Sequence, residues 1–470
     1  MTEYEMVVGL EVHVELKTET KIFCSCSTRF GAPPNTQCCP VCMGLPGSLP
    51  VLNQKVVEYA IQAGMATSCT IAKYSKQDRK NYFYPDLPKA YQISQYDLPL
   101  CEKGSLEIET PAGSKKIGIT RIHIEEDAGK LVHDKDGSYL DCNRCGVPLI
   151  EIVSEPDIRS AEEAVAYLQK LRAVMLFTGV SDCRMEEGSL RCDVNLSVHK
   201  PGEPFGTRTE MKNLNSFQFI QKAIQYEYQR QVEALERGEE IVQETRRFDE
   251  KTGKTFPMRR KEDANDYRYF PDPDLMPIEP PEEMVSALRA AMPPLPDQQK
   301  ARYMKEMGLP AGEAELLTGS PGMMAYFEEA AACSAHPRQL AAFLTTQVFR
   351  LLDGGEEIPV SPAHLAALVE MIADGEISGT TARRVLAALW KQDGDPGEYV
   401  RCHDLMQLSD PVCLKPVVEE VVRENAGAVS DYRNGKTAAL KALMGQVMGR
   451  TGGRANPEVA EKLLLELVQS

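Results

Sequence analysis

The sequence predicts an α+β protein, in which a large mixed-sheet domain is followed by an all-helical domain and a small helical tail. Up to about residue 159, alternating apolar and polar runs are broken by Gly, Pro and Asp clusters, with no regular βαβ alternation. Prolines then crowd residues 271–296, and beyond them the strand pattern gives way to helical segments separated by Gly and Pro. We therefore place three domains at residues 1–292, 293–405 and 406–470.

The first element is a strand around residues 9–16. Every second position is apolar, and the positions between them carry Glu11, His13 and Glu15. Because side chains alternate between the two faces of a strand, one face closes a core while the other presents carboxylates and an imidazole. Hard cations such as Mg²⁺ prefer oxygen ligands, and imidazole can join them. An amphipathic strand with its polar face in water would give the same pattern.

A second acidic strand covers residues 115–125. Its isoleucines change parity near Thr120, and a β-bulge produces such a phase shift. Past the shift, His123 and Glu125 share the polar face, and Glu126 follows at the strand end. A charged strand end before a turn is the alternative interpretation.

A third strand, over residues 147–153, is apolar except for Glu151. An unpaired buried carboxylate costs several kcal/mol, so Glu151 needs a cation or must keep its proton. An edge strand that turns Glu151 to solvent would avoid this cost. We expect the three acidic strands, with His13, to converge on one oxygen-rich cation site.

Helix signals are clear further along the chain. A capping box at Ser160 begins a helix over residues 161–177, and a second helix runs from Phe217 to about residue 237. A strand is expected over residues 193–198 between them. The last helix has Asn456 as its cap and a proline at its first position.

The composition is that of an ordinary globular protein of 470 residues, with 43% hydrophobic and 26% charged residues. No secretory signal and no membrane-length apolar run is visible, so we expect a cytoplasmic protein without a membrane partner. The net charge of −16 argues against non-specific nucleic-acid binding by the whole surface, although not against a local basic patch. The 14 cysteines indicate thiols or metal ligands.

Basic and aromatic residues concentrate in residues 78–92. Arg79 and Lys80 suit phosphate oxygens, and tyrosines such as Tyr82 offer flat faces to a base or sugar. Lys89 continues the stretch. A loop packed by its own aromatic side chains is an equal alternative, and no P-loop motif is present.

Two short cysteine pairs, separated by twelve residues, predict a structural four-cysteine zinc site. The expected ligands are Cys24, Cys26, Cys39 and Cys42. Cys38 could compete as a ligand, and the isolated Cys142-x-x-Cys145 pair could replace the first pair.

Long motifs of the chain closely resemble the B-subunit family of bacterial aspartyl/glutamyl-tRNA(Asn/Gln) amidotransferases. The resemblance covers essentially the whole chain, and its strongest motifs are residues 9–16, 78–97, 125–130, 148–157, 185–198, 212–217, 244–249 and 266–274. It implies a cradle-like first domain, a helical domain and a helical tail. It also implies a ligase that forms a carbon–nitrogen bond, with ATP and magnesium as cofactors.

In that family, the B subunit activates the side-chain carboxylate of Glu-tRNA(Gln) or Asp-tRNA(Asn) as an acyl phosphate, which ammonia then converts to an amide. The residues that align with the magnesium-site positions are Glu11, His13, Glu125 or Glu126, and Glu151. One of the adjacent carboxylates 125 and 126 could instead line the ammonia path. Arg79 and Lys80 match a motif expected near the ATP phosphates or that path, and we expect Tyr82 and Lys89 to contact ATP as well.

The resemblance also implies partners. The sequence has no Gly/Ser-rich amidase signature, so ammonia must come from an amidase A subunit, held with a small C subunit in a heterotrimer. The four expected zinc ligands, Cys24, Cys26, Cys39 and Cys42, match the zinc-bearing members of the family. The pair Cys142 and Cys145 does not belong to the cysteine pattern of that family.

We expect the tail to bind the mischarged transfer RNA, through basic residues in a stretch whose single acid is Asp431. These residues are Arg433, Lys436, Lys441, Arg450 and Arg454. A solvated helix face is the alternative. For the whole chain, the rival interpretations are a non-enzymatic zinc-stabilised tRNA-binding adapter and a metal-dependent phosphatase that acts alone.

Overall fold

The computed structural model describes residues 4–260, 267–352 and 357–469. The chain divides into two compact units, residues 1–295 and 296–470. The first unit contains all the named strands of the described residues, and the second is helical, which confirms the predicted α+β class. No helix in the described parts of the chain is long and apolar enough to cross a membrane.

The first unit has fourteen strands and four helices among its described residues. The strands are β1 (Glu5–Glu15), β2 (Thr70–Ile71), β3 (Asp78–Asn81), β4 (Tyr91–Ser94), β5 (Cys101–Thr110), β6 (Gly113–Glu126), β7 (Lys130–Asp134), β8 (Gly137–Asp141), β9 (Pro148–Ser154), β10 (Leu190–His199), β11 (Thr209–Lys212), β12 (Glu244–Asp249), β13 (Lys254–Arg260) and β14 (Phe270–Pro271). The helices are α1 (Gln54–Ala66), α2 (Ala161–Phe177), α3 (Phe217–Glu236) and α4 (Glu282–Ala290).

Nine strands form one sheet in the order β13-β12-β11-β10-β1-β9-β6-β5-β2. Neighbours are antiparallel except for the parallel pair β11 and β12. Smaller sheets pair β14-β3-β4 and β7-β8. One face of the large sheet packs on α1, α2 and α3 and closes the core. The acidic strands β1, β9 and β6 therefore lie side by side at the centre.

The expected phase shift in β6 is present. The pairing of β6 with β9 changes register between Ile119 and Arg121, at the predicted bulge residue Thr120. Ile117 and Ile119 before the bulge, and Ile122 after it, are all buried. The extra residue thus keeps the isoleucines of both halves inside the core.

The predicted helix over residues 161–177 is confirmed with both ends correct, and Ser160 accepts a hydrogen bond from the Glu163 amide. The next helix also begins at Phe217 as predicted. The expectation of strands and turns up to residue 159 is wrong for residues 54–66, which form α1. Asn53 was a sequence signal for this helix, because Asn is a favoured residue at the start of helices. In the structure, the Asn53 side chain accepts a hydrogen bond from the Lys55 amide.

The second unit consists of helices with two separate hydrophobic cores, one over residues 303–405 and the other over residues 414–468. The Asn456 side chain caps the last helix as predicted. The helices are α5 (Pro296–Glu306), α6 (Ala311–Leu317), α7 (Pro321–Ala332), α8 (Pro337–Phe343), a π-helical turn (Leu344–Val348), α9 (Phe349–Leu352), α10 (Pro362–Ala373), α11 (Gly379–Leu389), α12 (Pro396–Cys402), α13 (Pro411–Glu424), α14 (Ala426–Arg433), α15 (Ala438–Arg450) and α16 (Pro457–Gln469).

Candidate metal and phosphate site

Three neighbouring strands bring titratable side chains together on the polar face of the large sheet. His13 of β1 lies opposite Glu151 of β9, and Glu151 lies opposite His123 of β6. Glu125 follows His123 on the same face of β6. Residues far apart in the chain therefore form one compact cluster.

The distances in this cluster suit a divalent cation. His13, Glu125 and Glu151 each offer a ligand atom, and these atoms lie within 4.8 Å of one another. His123 is 3% exposed, and its Nε2 lies 3.2 Å from Glu151 Oε2 and 3.5 Å from Glu125 Oε2. The carboxylates of Glu125 and Glu151 and the imidazole of His13 fit magnesium or a similar cation. The His123 imidazole lies beside both carboxylates.

Glu125 is fixed by the small sheet beside it. Gln92 Nε2 donates to Glu125 Oε1 at 2.5 Å, and Ser94 Oγ donates to Glu125 Oε2 at 2.7 Å. Lys80 Nζ lies 3.8 Å from Glu125 Oε2. A cationic side chain thus stands at the edge of the cluster, where the oxygens of a phosphate group can reach it.

The electrostatics keep the carboxylates ionised. Burial raises the pKa of Glu125, but the Lys80 ammonium and His123 outweigh it and lower that pKa to about 2. Burial likewise opposes ionisation of Glu151, whose pKa is nevertheless lowered by His123 and His13. Burial lowers the pKa of His123, while Glu151 and Glu125 raise it to about 9. The cluster is a charge-balanced network of acids and bases.

The structure puts Glu11 in a second, adjoining acidic group. Glu11 lies opposite Asp193 of β10, and together with Glu210 of β11 they form another possible cation site. Asn195 donates to Glu11 at 2.9 Å. Lys212 bridges Asp193 and Glu210. Burial and the surrounding carboxylates raise the pKa of Glu11.

Sequence reasoning did not select His123, Asp193 or Glu210 as site residues. A signal for Asp193 existed, because alternate residues of β10 are apolar and those between them are polar. Glu210 lies in a strand of four residues, which is too short for its periodicity to show a face.

Glu126 points away from this cluster. It pairs with Lys89 and accepts a hydrogen bond from the Ile93 amide at 2.8 Å. Both Glu126 and Lys89 line a pocket of about 210 Å³ that also borders Lys21 and Cys42. Of the two adjacent carboxylates, Glu125 is therefore the one that faces His13 and Glu151.

Arg79 is held by acids of the first unit. It pairs with Asp272 at 2.9 Å and Asp274 at 2.8 Å, and its guanidinium lies over the Tyr91 ring. Tyr82 contacts other tyrosine rings. Residue 266, at the start of the last resembling motif, lies outside the described residues. Lys80 is thus the basic residue of this stretch that borders the acidic cluster.

The four predicted zinc ligands come together. The sulfur atoms of Cys24, Cys26, Cys39 and Cys42 lie within 4.8 Å of one another, as tetrahedral coordination of zinc requires. A hydrogen bond with Cys24 lowers the pKa of Cys42 to about 4, although burial opposes this shift. Four thiols at this spacing fit a structural zinc ion.

The remaining cysteines of this region lie outside that group. Cys38 Sγ lies near the Asn35 carbonyl oxygen instead. Cys142 and Cys145 are buried against Cys42 without joining the four. A buried lysine completes the surroundings, since Lys21 Nζ lies 3.5 Å from Cys42 Sγ and 3.1 Å from the Cys142 carbonyl oxygen.

The basic residues of the tail are largely engaged within the second unit. Arg450 pairs with two acids of α13, Glu420 and Glu424. The other contacts are Arg454 with Asp404, Lys436 with Asp431, and Arg433 with the Val468 carbonyl, while Lys441 is exposed on α15. The acids of α13 precede the basic stretch in sequence, so the local count of charges missed them. RNA binding by this tail stays a prediction.

Comparison with known families defines the class of protein. The model of the GatB/GatE catalytic domain matches residues 6–286, and that of the GatB domain matches residues 325–468. The sheet with its acidic cluster therefore lies within a catalytic domain of the amidotransferase type.

Curated relatives match over their whole length. The chain is 54% identical to the B subunit of the aspartyl/glutamyl-tRNA(Asn/Gln) amidotransferase of Caldicellulosiruptor saccharolyticus, over 99% of both chains. It is 52% identical to the proteins of the same name in Lachnoclostridium phytofermentans, over 100% of this chain and 99% of that relative, and Geotalea daltonii, over 99% and 100%. The chain belongs to the B-subunit family of aspartyl/glutamyl-tRNA(Asn/Gln) amidotransferases, a family of ligase-type enzyme subunits, as its motifs predicted.

Proposed function

We propose that this chain uses ATP and magnesium to activate the side-chain carboxylate of Glu-tRNA(Gln) or Asp-tRNA(Asn) as an acyl phosphate. Ammonia then converts the acyl phosphate to the amide of Gln-tRNA(Gln) or Asn-tRNA(Asn). The observation that carries this proposal is the cluster of His13, Glu125 and Glu151 on adjacent strands, with Lys80 beside it. An acidic group alone would repel ATP, so the proposal needs a cation there.

The grouping of donor atoms supports a choice of cation ligands. His13, Glu125 and Glu151 would hold one magnesium ion, and Glu11 with Asp193 and Glu210 provides the adjoining acidic site. Bound magnesium would offset the negative charge of the ATP phosphates and of the transferring group. Glu126 is not among these ligands, because its carboxylate pairs with Lys89.

The chemistry needs positioning and charge more than covalent help. An oxygen of the substrate carboxylate attacks the γ-phosphorus of ATP, and the bond from that phosphorus to the bridging oxygen breaks and releases ADP. Lys80, close to Glu125, can donate to the phosphoryl oxygens during this step. Ammonia then attacks the acyl carbon, phosphate leaves with the bonding electrons, and the nitrogen loses a proton.

A pocket of about 280 Å³ next to Glu11 supports the proposal that ATP binds there. Its lining includes Gly9, Asn195, Phe205 and Arg208. An aromatic face and a guanidinium suit a base and phosphate oxygens, respectively. Arg79 is already paired with Asp272 and Asp274, and Lys89 is paired with Glu126. The predicted contacts of Arg79, Tyr82 and Lys89 with ATP therefore have less support than the predicted contact of Lys80.

The partners and the structural metal complete the proposal. The relatives are named as one lettered subunit of an amidotransferase, which implies an enzyme of several subunits. We propose an amidase A subunit as the ammonia source and a small C subunit in a heterotrimer.

Cys24, Cys26, Cys39 and Cys42 would hold one structural zinc ion. We propose a cytoplasmic location, because the proposed substrates are transfer RNAs used in translation. Residues 1–292 would form the catalytic domain, residues 293–405 a helical domain and residues 406–470 a tail that contacts the transfer RNA.

The test replaces single carboxylates in the assembled amidotransferase. Glu125→Gln and Glu151→Gln keep the size of the side chain but remove its charge. Each should lower ATP-dependent acyl-phosphate formation about 100-fold or more, because a ligand of the cation and of the phosphate site is lost. Acyl-phosphate formation is measured as phosphate release that requires mischarged tRNA, with hydroxylamine added to convert the acyl phosphate to its hydroxamate.

The control is Glu107→Gln, an exposed carboxylate on β5 of the same sheet. It should leave acyl-phosphate formation unchanged, and all three variants should keep the glutaminase activity of the partner. Full transamidation by Glu151→Gln would refute the site. A complex that binds tRNA but never cleaves ATP in response to it would instead support the adapter interpretation.

A further inference from the structure

Five tyrosines form a continuous aromatic surface next to the acidic cluster. We call it the tyrosine surface, and its members are Tyr82, Tyr84, Tyr96, Tyr267 and Tyr269. The rings of Tyr84 and Tyr82 stack at 6.0 Å, and those of Tyr96 and Tyr269 stack at 4.4 Å with planes within 7°. Tyr267 joins the two pairs edge-on, at 6.5 Å from Tyr82 and 5.9 Å from Tyr269.

The rings keep a large accessible area. Tyr96 is 55% exposed, Tyr84 46% and Tyr82 37%, and the neighbouring Phe83 is 79% exposed. If these rings served the fold alone, their mutual contacts would be expected to remove most of this area from water. They contact one another, as the alternative interpretation of a self-packed loop predicts, but Tyr96 and Tyr84 still keep about half of their surface accessible.

The tyrosine surface is continuous with the candidate site. Lys80 Nζ lies 5.1 Å from the centre of the Tyr267 ring and 3.8 Å from Glu125 Oε2. One side chain therefore touches both the aromatic surface and the acidic cluster. A flexible chain that reaches Glu125 from the side of Lys80 can therefore contact Tyr267 and its neighbours.

We propose that the tyrosine surface binds the unpaired 3′ nucleotides of the transfer RNA by stacking on their bases. This inference rests on the proposed function for the identity of the substrate. The amino acid is esterified to the last nucleotide, so a side-chain carboxylate at the cluster holds that nucleotide within a few bonds of it. Every base has a flat π-face, and aromatic platforms are a common way to hold single-stranded RNA.

Charge favours stacking over phosphate contact here. The chain carries a net charge of −16, and Arg79, beside this surface, is paired with Asp272 and Asp274. Arg79 is therefore less available to phosphate groups, whereas stacking on an aromatic ring does not need a basic side chain.

The experiment measures the affinity of the assembled amidotransferase for deacylated tRNA(Gln), without ATP, and for the same RNA lacking its last two nucleotides. Tyr96→Ala and Tyr84→Ala should each weaken binding of the full RNA about tenfold, the usual effect of removing one stacked ring. Neither variant should weaken binding of the shortened RNA to a similar degree. Tyr96→Phe, which keeps the ring, should bind the full RNA like the unaltered protein.

The matched control is Tyr139→Ala, a tyrosine of β8 that is 57% exposed but makes no ring contact with the tyrosine surface among the described residues. It should leave both affinities unchanged. Equal losses for full and shortened RNA, or no loss for either, would overturn the proposal. Because neither ATP nor an amino acid is present, this result does not depend on whether an acyl phosphate forms.

Discussion

His123 shows how single residues make an acidic site stable before any cation binds. It lies between Glu125 and Glu151 and is almost completely buried. A buried carboxylate without a counter-charge would cost several kcal/mol, and the imidazole and Lys80 supply that charge. Neutral amides at 125 or 151 are therefore gentler substitutions than alanine, because they keep hydrogen-bonding groups in place.

Lys21 offers a test of the zinc site at the same scale. Four thiolates around Zn²⁺ leave a net charge of −2, and the fully buried Lys21 ammonium next to Cys42 offsets part of it. Lys21→Met keeps the length of the side chain but removes the charge. Zinc should then be lost to a chelator about tenfold faster, as is usual when a neighbour of metal ligands is removed.

Zinc release is followed with a coloured chelator, and elemental analysis gives the starting content, expected to be roughly one zinc per chain. Lys55→Met is the control, since Lys55 is exposed and pairs with Glu58 on the surface of α1. Equal rates of zinc loss from the two variants would mean that Lys21 does not stabilise the thiolates. Purified protein without zinc would remove the site itself.

At the scale of elements, periodicity predicted which side chains share one face of a strand. It did not predict which residues of the neighbouring strand pair with them. Glu11, His13 and Glu151 could be found because each interrupts an apolar pattern within one strand. The pairing of β1 with β10 places Glu11 opposite Asp193, a residue 182 positions further along the chain. No local pattern carries that information, so the split into two acidic groups could not be foreseen.

Packing at Gly64 of α1 gives a prediction for a whole element. A Cβ atom at this position would lie 2.5 Å from Cys101 Sγ and 2.9 Å from Ile71 Cδ1. Gly64→Ala should therefore push α1 away from β5 and cost about 1–3 kcal/mol. Hydrogen exchange should show weaker protection of the α1 amides.

The matching control relieves the contact. Cys101→Ala removes the sulfur atom that the new methyl group would meet, so the double variant should regain part of the protection lost in Gly64→Ala. Gly445→Ala in α15 has open space around the added atom and should be neutral or slightly stabilising. Unchanged protection in Gly64→Ala would show that α1 can shift without cost.

For the molecule as a whole, the sequence indicated the class and the order of parts. The proline-rich stretch at residues 271–296 predicted the change from strands to helices. This stretch ends at the boundary between the two units. The sequence could not show whether the basic residues of the tail are paired, because the acids that pair with Arg450 lie in another helix. Contacts between elements decide whether a basic residue is available to a ligand.

The absence of an amidase signature leads to a prediction for the complete enzyme. The chain alone, given ATP, magnesium and mischarged tRNA, should form the amide with an ammonium salt. Glutamine should be inert until the amidase partner is added, because this chain has no evident nucleophile to release ammonia from it. Amide formation is measured by digesting the RNA and separating the amino acids, and turnover of glutamine by the isolated chain would contradict the assignment.

The bulge at Thr120 has a consequence for comparing this chain with distant homologues. A homologue that lacks this one residue would keep both ends of β6 in phase, since its isoleucines would then alternate without interruption. A gap placed six residues later would align the counterpart of Glu126 with Glu125 and so assign the wrong acid to the side that faces His13. Alignments of remote sequences should therefore fix the gap from the isoleucines first and assign the equivalent carboxylates afterwards.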